Sequence, residues 1–247
     1  MPDCKLQLDV NCRASKIPPE KEGSCASLCF ILFMAEGSSL SSLYPAWSYE
    51  ANPPSIQNDL KKGLLFVVSA PAGTGKTTLV QLLTRDFNCV IASISYTTRQ
   101  PRPGEVNGIH YHFISKEEFL KKVKDGDFLE HVELYQDYYG TSRTWVEEQL
   151  NQGKHVVLVI DTQGAELLRG KIETVSIFVS PPSSKELERR LKGRQADSEE
   201  SIERRLAWSI KEMAVRDRYD YLIVNDDLSE AYQVLRSILI AEEHRIR

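Results

Sequence analysis

The chain of 247 residues has few cysteines outside its first stretch, no surplus of basic side chains and no long apolar run. Of five cysteines, Cys4, Cys12, Cys25 and Cys29 fall within the first thirty residues, leaving Cys89 alone in the rest. A disulfide framework for the main body is excluded, which fits a reducing, cytoplasmic setting. Lys and Arg number 31 against 35 Asp and Glu, a formal net charge of -4. A general nucleic-acid binder would carry a basic footprint, so nucleic acid is not an expected partner. Nothing approaches the roughly 18 apolar residues that cross a bilayer, so no membrane partner is expected. The nearest candidate, Cys25 to Ala35, is short, follows Pro18-Pro19-Glu20-Lys21-Glu22 and lacks the small-residue cleavage pattern of a signal peptide. His110, His112, His131, His155 and His244 have no metal-ligand spacing. What remains is ordinary for a protein that buries a core: 41% hydrophobic and 27% charged residues.

Two regions differ in pattern. Residues 1–61 lack sustained periodicity and are rich in Ser, Pro and Cys, including Ser38-Ser39-Leu40-Ser41-Ser42, Pro45, Pro53 and Pro54. Such a stretch buries too little apolar surface to offset chain ordering, and is expected to be disordered or loosely docked. Met34 offers an alternative start, which would make the preceding residues an artefact of gene calling. Residues 62–247 are the folded domain. Leu64-Leu65-Phe66-Val67-Val68 reads as a strand buried on both faces of a parallel sheet, and similar runs lie at 90–94, 155–160, 174–179 and 221–224. Helical patterns cover 77–86, 116–124 behind the capping pair Ser115-x-x-Glu118, 142–151, 184–192, 198–217 and 228–244. Five buried strands alternating with helices predict a three-layer, doubly wound α/β fold with a five-stranded parallel sheet. The stretch after residue 95 is too long for a crossover and carries short strands of its own near 109–114 and 129–134, so it reads as an inserted subdomain.

Ser69-Ala70-Pro71-Ala72-Gly73-Thr74-Gly75-Lys76-Thr77, followed by Thr78, links the first strand to the first helix. Gly73 and Gly75 let backbone N–H groups turn inward around phosphate oxygens, with the helix N-terminus adding its dipole. Lys76 reaches the β- and γ-phosphates of a nucleotide and the Thr77 hydroxyl ligates Mg²⁺. The motif is that of a P-loop NTPase, with one departure: Ala70 stands where the first glycine of GxxxxGK[ST] is usual. Its small methyl leaves the loop intact by expectation.

Ser95 to Gly108 holds Arg99-Gln100-Pro101-Arg102, a rigid cationic turn whose planar guanidinium forks suit a phosphate dianion. This run closely resembles the GMP-binding signature of guanylate kinases. So do Phe128-Leu129-Glu130, Tyr138-Tyr139-Gly140-Thr141, Ile160-Asp161-Thr162-Gln163-Gly164 and Val224-Asn225-Asp226-Asp227, and the resemblance runs from about residue 63 to 244. It implies a GMP-binding insertion over 95–145 and a mobile lid over 188–206. By resemblance, Arg99 and Arg102 hold the GMP phosphate, with Tyr111 and Tyr139 adding hydroxyl donors. Glu130 reads guanine, with Ser95 and Thr141 near the base. An ionised carboxylate only accepts, so it matches guanine's adjacent N–H groups and opposes the bare ring nitrogen of adenine.

The resemblance places Asp161 beside GMP and Mg²⁺, the metal reached through water. The family often carries a second acid two residues earlier in this strand, where this chain has Val159, so one carboxylate near the phosphates is expected to be missing. Residues 185–218 hold ten basic and eight acidic side chains, mostly a solvated, salt-bridged surface. Within it, Arg190, Arg194 and Arg205 match lid arginines that close on the triphosphate; Gln195 replaces the usual glycine. Asn225 and Asp226 match residues lining the adenine pocket, completing an ATP site of residues 70–78 with 225–226. The implied reaction is γ-phosphoryl transfer from ATP to GMP, and by extension dGMP, with Mg²⁺ as cofactor. A GMP oxygen is already anionic, so no general base is required. Two other readings stay open at this point: a catalytically dead guanylate-kinase-like interaction module, and a kinase for another nucleoside monophosphate.

Overall fold

The computed structural model describes residues 62–193 and 199–246. The expected extension over 1–61, together with Arg194 and Gln195, lies outside the described residues. Strands β1 (Leu65–Ser69), β2 (Val90–Ala92), β7 (His155–Ile160), β8 (Val175–Ser180) and β9 (Tyr221–Val224) form one sheet, ordered β2-β7-β1-β8-β9 with every pair parallel. The continuous apolar runs of these strands serve two cores at once, because successive side chains point to opposite faces. Leu65 and Val67 join Val156 and Leu158 against Val146 and Leu150 of helix α3 (Arg143–Asn151) and Leu168 of α4 (Thr162–Leu168). Phe66 and Val68 join Val157 and Ile177 against Leu79 and Leu83 of α1 (Lys76–Asp86) and Leu235 and Leu239 of α7 (Leu228–Glu243). The result is the three-layer α/β arrangement expected from the strand and helix pattern. Each such Leu or Phe, wholly withdrawn from water, contributes about 1.5–3 kcal/mol.

Between β2 and β7 the chain builds a second sheet. Its strands β3 (Tyr96–Thr97), β4 (His112–Phe113), β5 (Phe128–Leu134) and β6 (Asp137–Ser142) lie in the order β4-β3-β6-β5. Helix α2 (Lys116–Asp125) begins as its capping pattern predicts, with the Ser115 hydroxyl accepting from the Glu118 N–H at 3.1 Å. Phe119 of α2 is buried and stacks on Phe128 with ring centroids 4.6 Å apart. The expected strand near 109–114 is only two residues long, and β3 and β6 were not expected from sequence. A two-residue turn joins β5 to β6, and Tyr135 and Gln136 there adopt positive φ angles of 54° and 75°. Side chains pay about 1–2 kcal/mol per residue for that conformation.

After β8 come α5 (Ser184–Lys192) and α6 (Glu199–Met213). The helix expected over 198–217 ends at Met213 and tightens into a 3-10 turn at Arg216–Arg218. The chain must reverse there to enter β9 beside β8, and Asp220 anchors the reversal by accepting from the Ser176 N–H and hydroxyl, both at 2.7 Å. Helix α4 was also unexpected; it starts because the Asp161 carboxylate accepts from the Gly164 N–H at 2.9 Å. No helix among the described residues is long and apolar enough to cross a membrane. Strands β1, β7, β8 and β9 end on the same side of the sheet, so the residues that follow them share one crevice where the connections depart in opposite directions.

Candidate active site

The loop after β1 is shaped from within. Gly73 and Gly75 have φ of 91° and 90°, and a Cβ on Gly75 would lie 2.5 Å from Nδ2 of Asn225. That amide donates to the Thr74 carbonyl at 2.6 Å, while the Thr74 hydroxyl donates to the Pro71 carbonyl at 3.0 Å. Ala70 has no positive φ, and its methyl, 1% exposed, packs in the core below α1. Alanine therefore meets both demands of that position. Ala72 packs against the cluster of Leu187 and Leu191. Helix α1 begins without a side-chain cap and without an acid in its first turn, leaving its N–H groups and dipole for an anion. Lys76 donates from Nζ to the Ala70 carbonyl at 3.3 Å, and Thr77 and Thr78 are exposed on the first turn.

Beside this loop lies a cavity of about 180 Å³ whose walls include Lys76, Ser95, Tyr111, Glu130, Tyr139 and Asp161. The β5–β6 register sets Glu130 opposite Thr141, whose hydroxyl donates to Oε1 at 2.6 Å. Glu130 is 5% exposed, and burial pushes its carboxyl up to about 7, the Thr141 bond opposing and the Asp161 charge adding. Burial also raises Asp161, against donation from Gly164 and Gln163. Asp161 is thus at once a helix cap and a cavity wall.

Val159 adds an apolar wall to the cavity, as its side chain dictates. A second carboxylate nevertheless arrives from a different element: Glu212 of α6, 5% exposed and pushed by burial to about 8, with Lys76 opposing and Asp161 adding. Three acids so close resist simultaneous ionisation unless cations or N–H donors meet them. Glu212 escaped the sequence reading, as did Tyr135 and Trp208 on the same walls. The spacing of Arg205, Trp208 and Glu212, three and then four residues apart on one helix, was the available signal.

A second cavity of about 150 Å³ is lined by Arg99, Arg102, Tyr139, Arg204 and Arg205, among others. The turn carrying the first two is clipped by Glu105, another residue the sequence left without a role. Its carboxylate accepts from Arg99 at 2.8 Å and from the Arg102 N–H at 2.7 Å. The Arg99 guanidinium also lies over the Tyr111 ring, 5.5 Å from its centroid. Tyr139 lines both cavities, so the arginine cluster and the buried acid share a wall. Arg190, on α5, pairs with Glu186 at 2.8 Å and donates to the carbonyls of Asn225 at 2.9 Å and Asp226 at 3.4 Å. Arg205 is brought to the second cavity, while Arg194 lies outside the described residues.

Residues 62–242 match the family model described as guanylate kinase. The chain is 63% identical over 186 residues to the guanylate kinase of Protochlamydia amoebophila (strain UWE25), spanning 75% of this chain and 94% of that relative. It is 52% identical over 182 residues to the guanylate kinase of Chlamydia felis (strain Fe/C-56), spanning 73% and 89%. The crystal structure of guanylate kinase from Anaplasma phagocytophilum aligns with a TM-score of 0.63 at 33% identity, covering 75% of this chain and 89% of that one. A match that spans phosphate loop, inserted sheet and strand-end residues makes this chain a member of the guanylate kinase family.

Proposed function

We propose that the chain transfers the γ-phosphoryl group of ATP to GMP, giving ADP and GDP, in the recycling of guanine nucleotides in the cytoplasm. The observation that carries this reading is the shared wall: a buried acid and a cluster of arginines adjoin through Tyr139, next to the lysine of a phosphate loop. Arg99 and Arg102 hold the GMP phosphate, with Tyr111 and Tyr139 as hydroxyl donors. Glu130 accepts from the ring N–H and amino group of guanine, flanked by Ser95 and Thr141. Adenine would leave this buried acceptor facing another acceptor, which should disfavour AMP by about a hundredfold or more. dGMP carries the same base and phosphate and should also be accepted.

The backbone of residues 70–75 and the first turn of α1, with Lys76, Thr77 and Thr78, cradle the ATP phosphates, and Asn225 and Asp226 border the adenine side. Arg190, Arg194 and Arg205 supply positive charge when the lid closes, excluding water and suppressing ATP hydrolysis. Mg²⁺ fits the residues present. The Thr77 hydroxyl is exposed at the mouth of the loop, Asp161 can reach a bound water, and no cluster of three or more acids, His or Cys among the described residues would cage a metal. That suits an ion held largely by nucleotide phosphates and water, where it would neutralise charge on the transferring group. Catalysis is otherwise positioning and charge stabilisation, because the acceptor oxygen is already anionic. A coupled ADP-release assay across AMP, GMP, UMP and dTMP tests the proposal. Turnover confined to GMP is expected; turnover with another monophosphate, or with none, would overturn it.

A further inference from the structure

The turn from β5 to β6 is an unusual place for a tyrosine. Tight two-residue hairpin turns with both central φ angles positive favour Asn and Gly, whose backbones tolerate them. Here Tyr135 and Gln136 occupy those positions, with φ of 54° and 75°. Unfavourable backbone geometry of this kind gathers where a side chain is required at one particular spot. Tyr135 is 53% exposed, yet it borders both cavities, the one with the buried acid and the one with the arginines.

Facing it across the opening is Trp208 of α6. The two rings meet edge to face, with centroids 6.2 Å apart and planes at 63°, and Trp208 itself lines the Glu130 cavity. Lys211 covers the indole with its ammonium 5.0 Å from the ring centroid. Arg205, Trp208 and Glu212 therefore form one stripe of α6, presenting guanidinium, indole and carboxylate to the acceptor side in that order. A large apolar surface between two polar groups suits a nucleoside: an anionic end toward the arginine, a planar, weakly polar body against the ring.

We propose that Trp208 and Tyr135 are positioning residues for the acceptor nucleotide, forming an aromatic wall between the hairpin tip and α6 against which the nucleoside packs. This rests on the reading of the Glu130 cavity as the GMP site. The chain holds three tryptophans, Trp47, Trp145 and Trp208. In a W47F/W145F background the emission of Trp208 reports its surroundings directly. Titration with GMP should shift that emission saturably, whereas AMP should leave it unchanged. Trp208→Ala should raise KM for GMP about tenfold and leave KM for ATP within twofold, and Trp208→Phe should recover most of the loss.

Tyr135→Gly guards against a trivial loss of folding. It relieves the backbone, so its thermal midpoint should hold or rise while its KM for GMP climbs; a structural role alone would move both together. Emission unmoved by saturating GMP in protein that phosphorylates GMP, or an unchanged KM in Trp208→Ala and Tyr135→Gly, would overturn the proposal. Failure of the unsubstituted chain to phosphorylate GMP would instead remove the acceptor site, and this wall with it.

Discussion

Gly164 lies directly beneath Glu130: a Cβ on the glycine would stand 2.7 Å from Oε2 of the glutamate and 3.3 Å from Oδ1 of Asp161. The constraint is steric, since no unusual φ is involved. Glycine here lets α4 begin tight against the acid, its N–H donating to Asp161 while its missing side chain leaves room for the carboxylate. Gly164→Ala should therefore displace Glu130 and raise KM for GMP by about tenfold, at a stability cost of about 1–3 kcal/mol for the overpacking. Steady-state kinetics with GMP varied and a thermal melt check both; an unchanged KM would show that Glu130 is free to move aside.

The carboxyl of Glu130 is lifted from 4.5 to about 7, mainly by burial. Because the folded value is the higher one, the contribution to stability is fully present below pH 4.5 and is lost as pH rises through 7. Binding has the opposite sign, since guanine's donors need the ionised form. KM for GMP should fall by about tenfold from pH 6 to pH 8, the ratio of ionised fractions expected for such a group. Glu130→Gln should abolish that component and with it much of the preference for GMP over AMP. The GMP phosphate titrates equally in both proteins, so the difference between their profiles isolates the acid.

Lys76→Ala should lower kcat by at least about a hundredfold to a thousandfold, the usual scale for a preorganised charge on a reacting group. Alanine is the best helix former for the first turn of α1, so the circular dichroism spectrum and melting midpoint should stay close to those of the parent. Near-normal GMP kinase activity in a folded Lys76→Ala protein would overturn the assigned chemistry.

Glu105 holds the arginine turn by two short bonds, and the side chains of its ion pair with Arg99 are only 14% and 18% exposed. Glu105→Ala should free both arginines and raise KM for GMP by about tenfold, in line with about 1.5 kcal/mol or more for a charge-assisted hydrogen bond. KM for ATP should not change. Equal effects on both substrates would point to a general loss of structure instead.

At the other end of the sheet, His155 and Glu243 approach to 3.6 Å and are both buried. The Leu64 N–H donates to Nδ1 of the histidine at 3.0 Å, which leaves Nε2 as the atom that faces the acid. Glu243→Leu removes the acid that faces the buried imidazole N–H and should cost about 1–3 kcal/mol. The pair lies at the start of β7 and the active site at its end, so specific activity at 25 °C should be retained while the melting midpoint falls.

Strands buried on both faces announced themselves in sequence because every residue of Leu65–Val68 or Val156–Ile160 is apolar. Strand β6 could not, since Asp-Tyr-Tyr-Gly-Thr-Ser alternates no apolar face and its turn lacks the usual Asn-Gly. Helix α4, seven residues long, has too few turns for periodicity, and Asp161 at its head was read for its place beside the nucleotide, not as a helix cap. The phosphate loop and the arginine turn were legible because their chemistry is local in the chain. Glu212 and Trp208 were not, because nothing about an acid or an indole in a charged helix says which wall it will meet after folding.

Asn225 holds the Thr74 carbonyl through its side chain and receives Arg190 on its own carbonyl. A residue 151 positions downstream thus sets the curvature of the phosphate loop and anchors the root of α5. A chain truncated before that asparagine would retain every residue of the Gly-Lys-Thr motif and still hold nucleotide poorly, and a tug on α5 would be felt at the loop through a single amide.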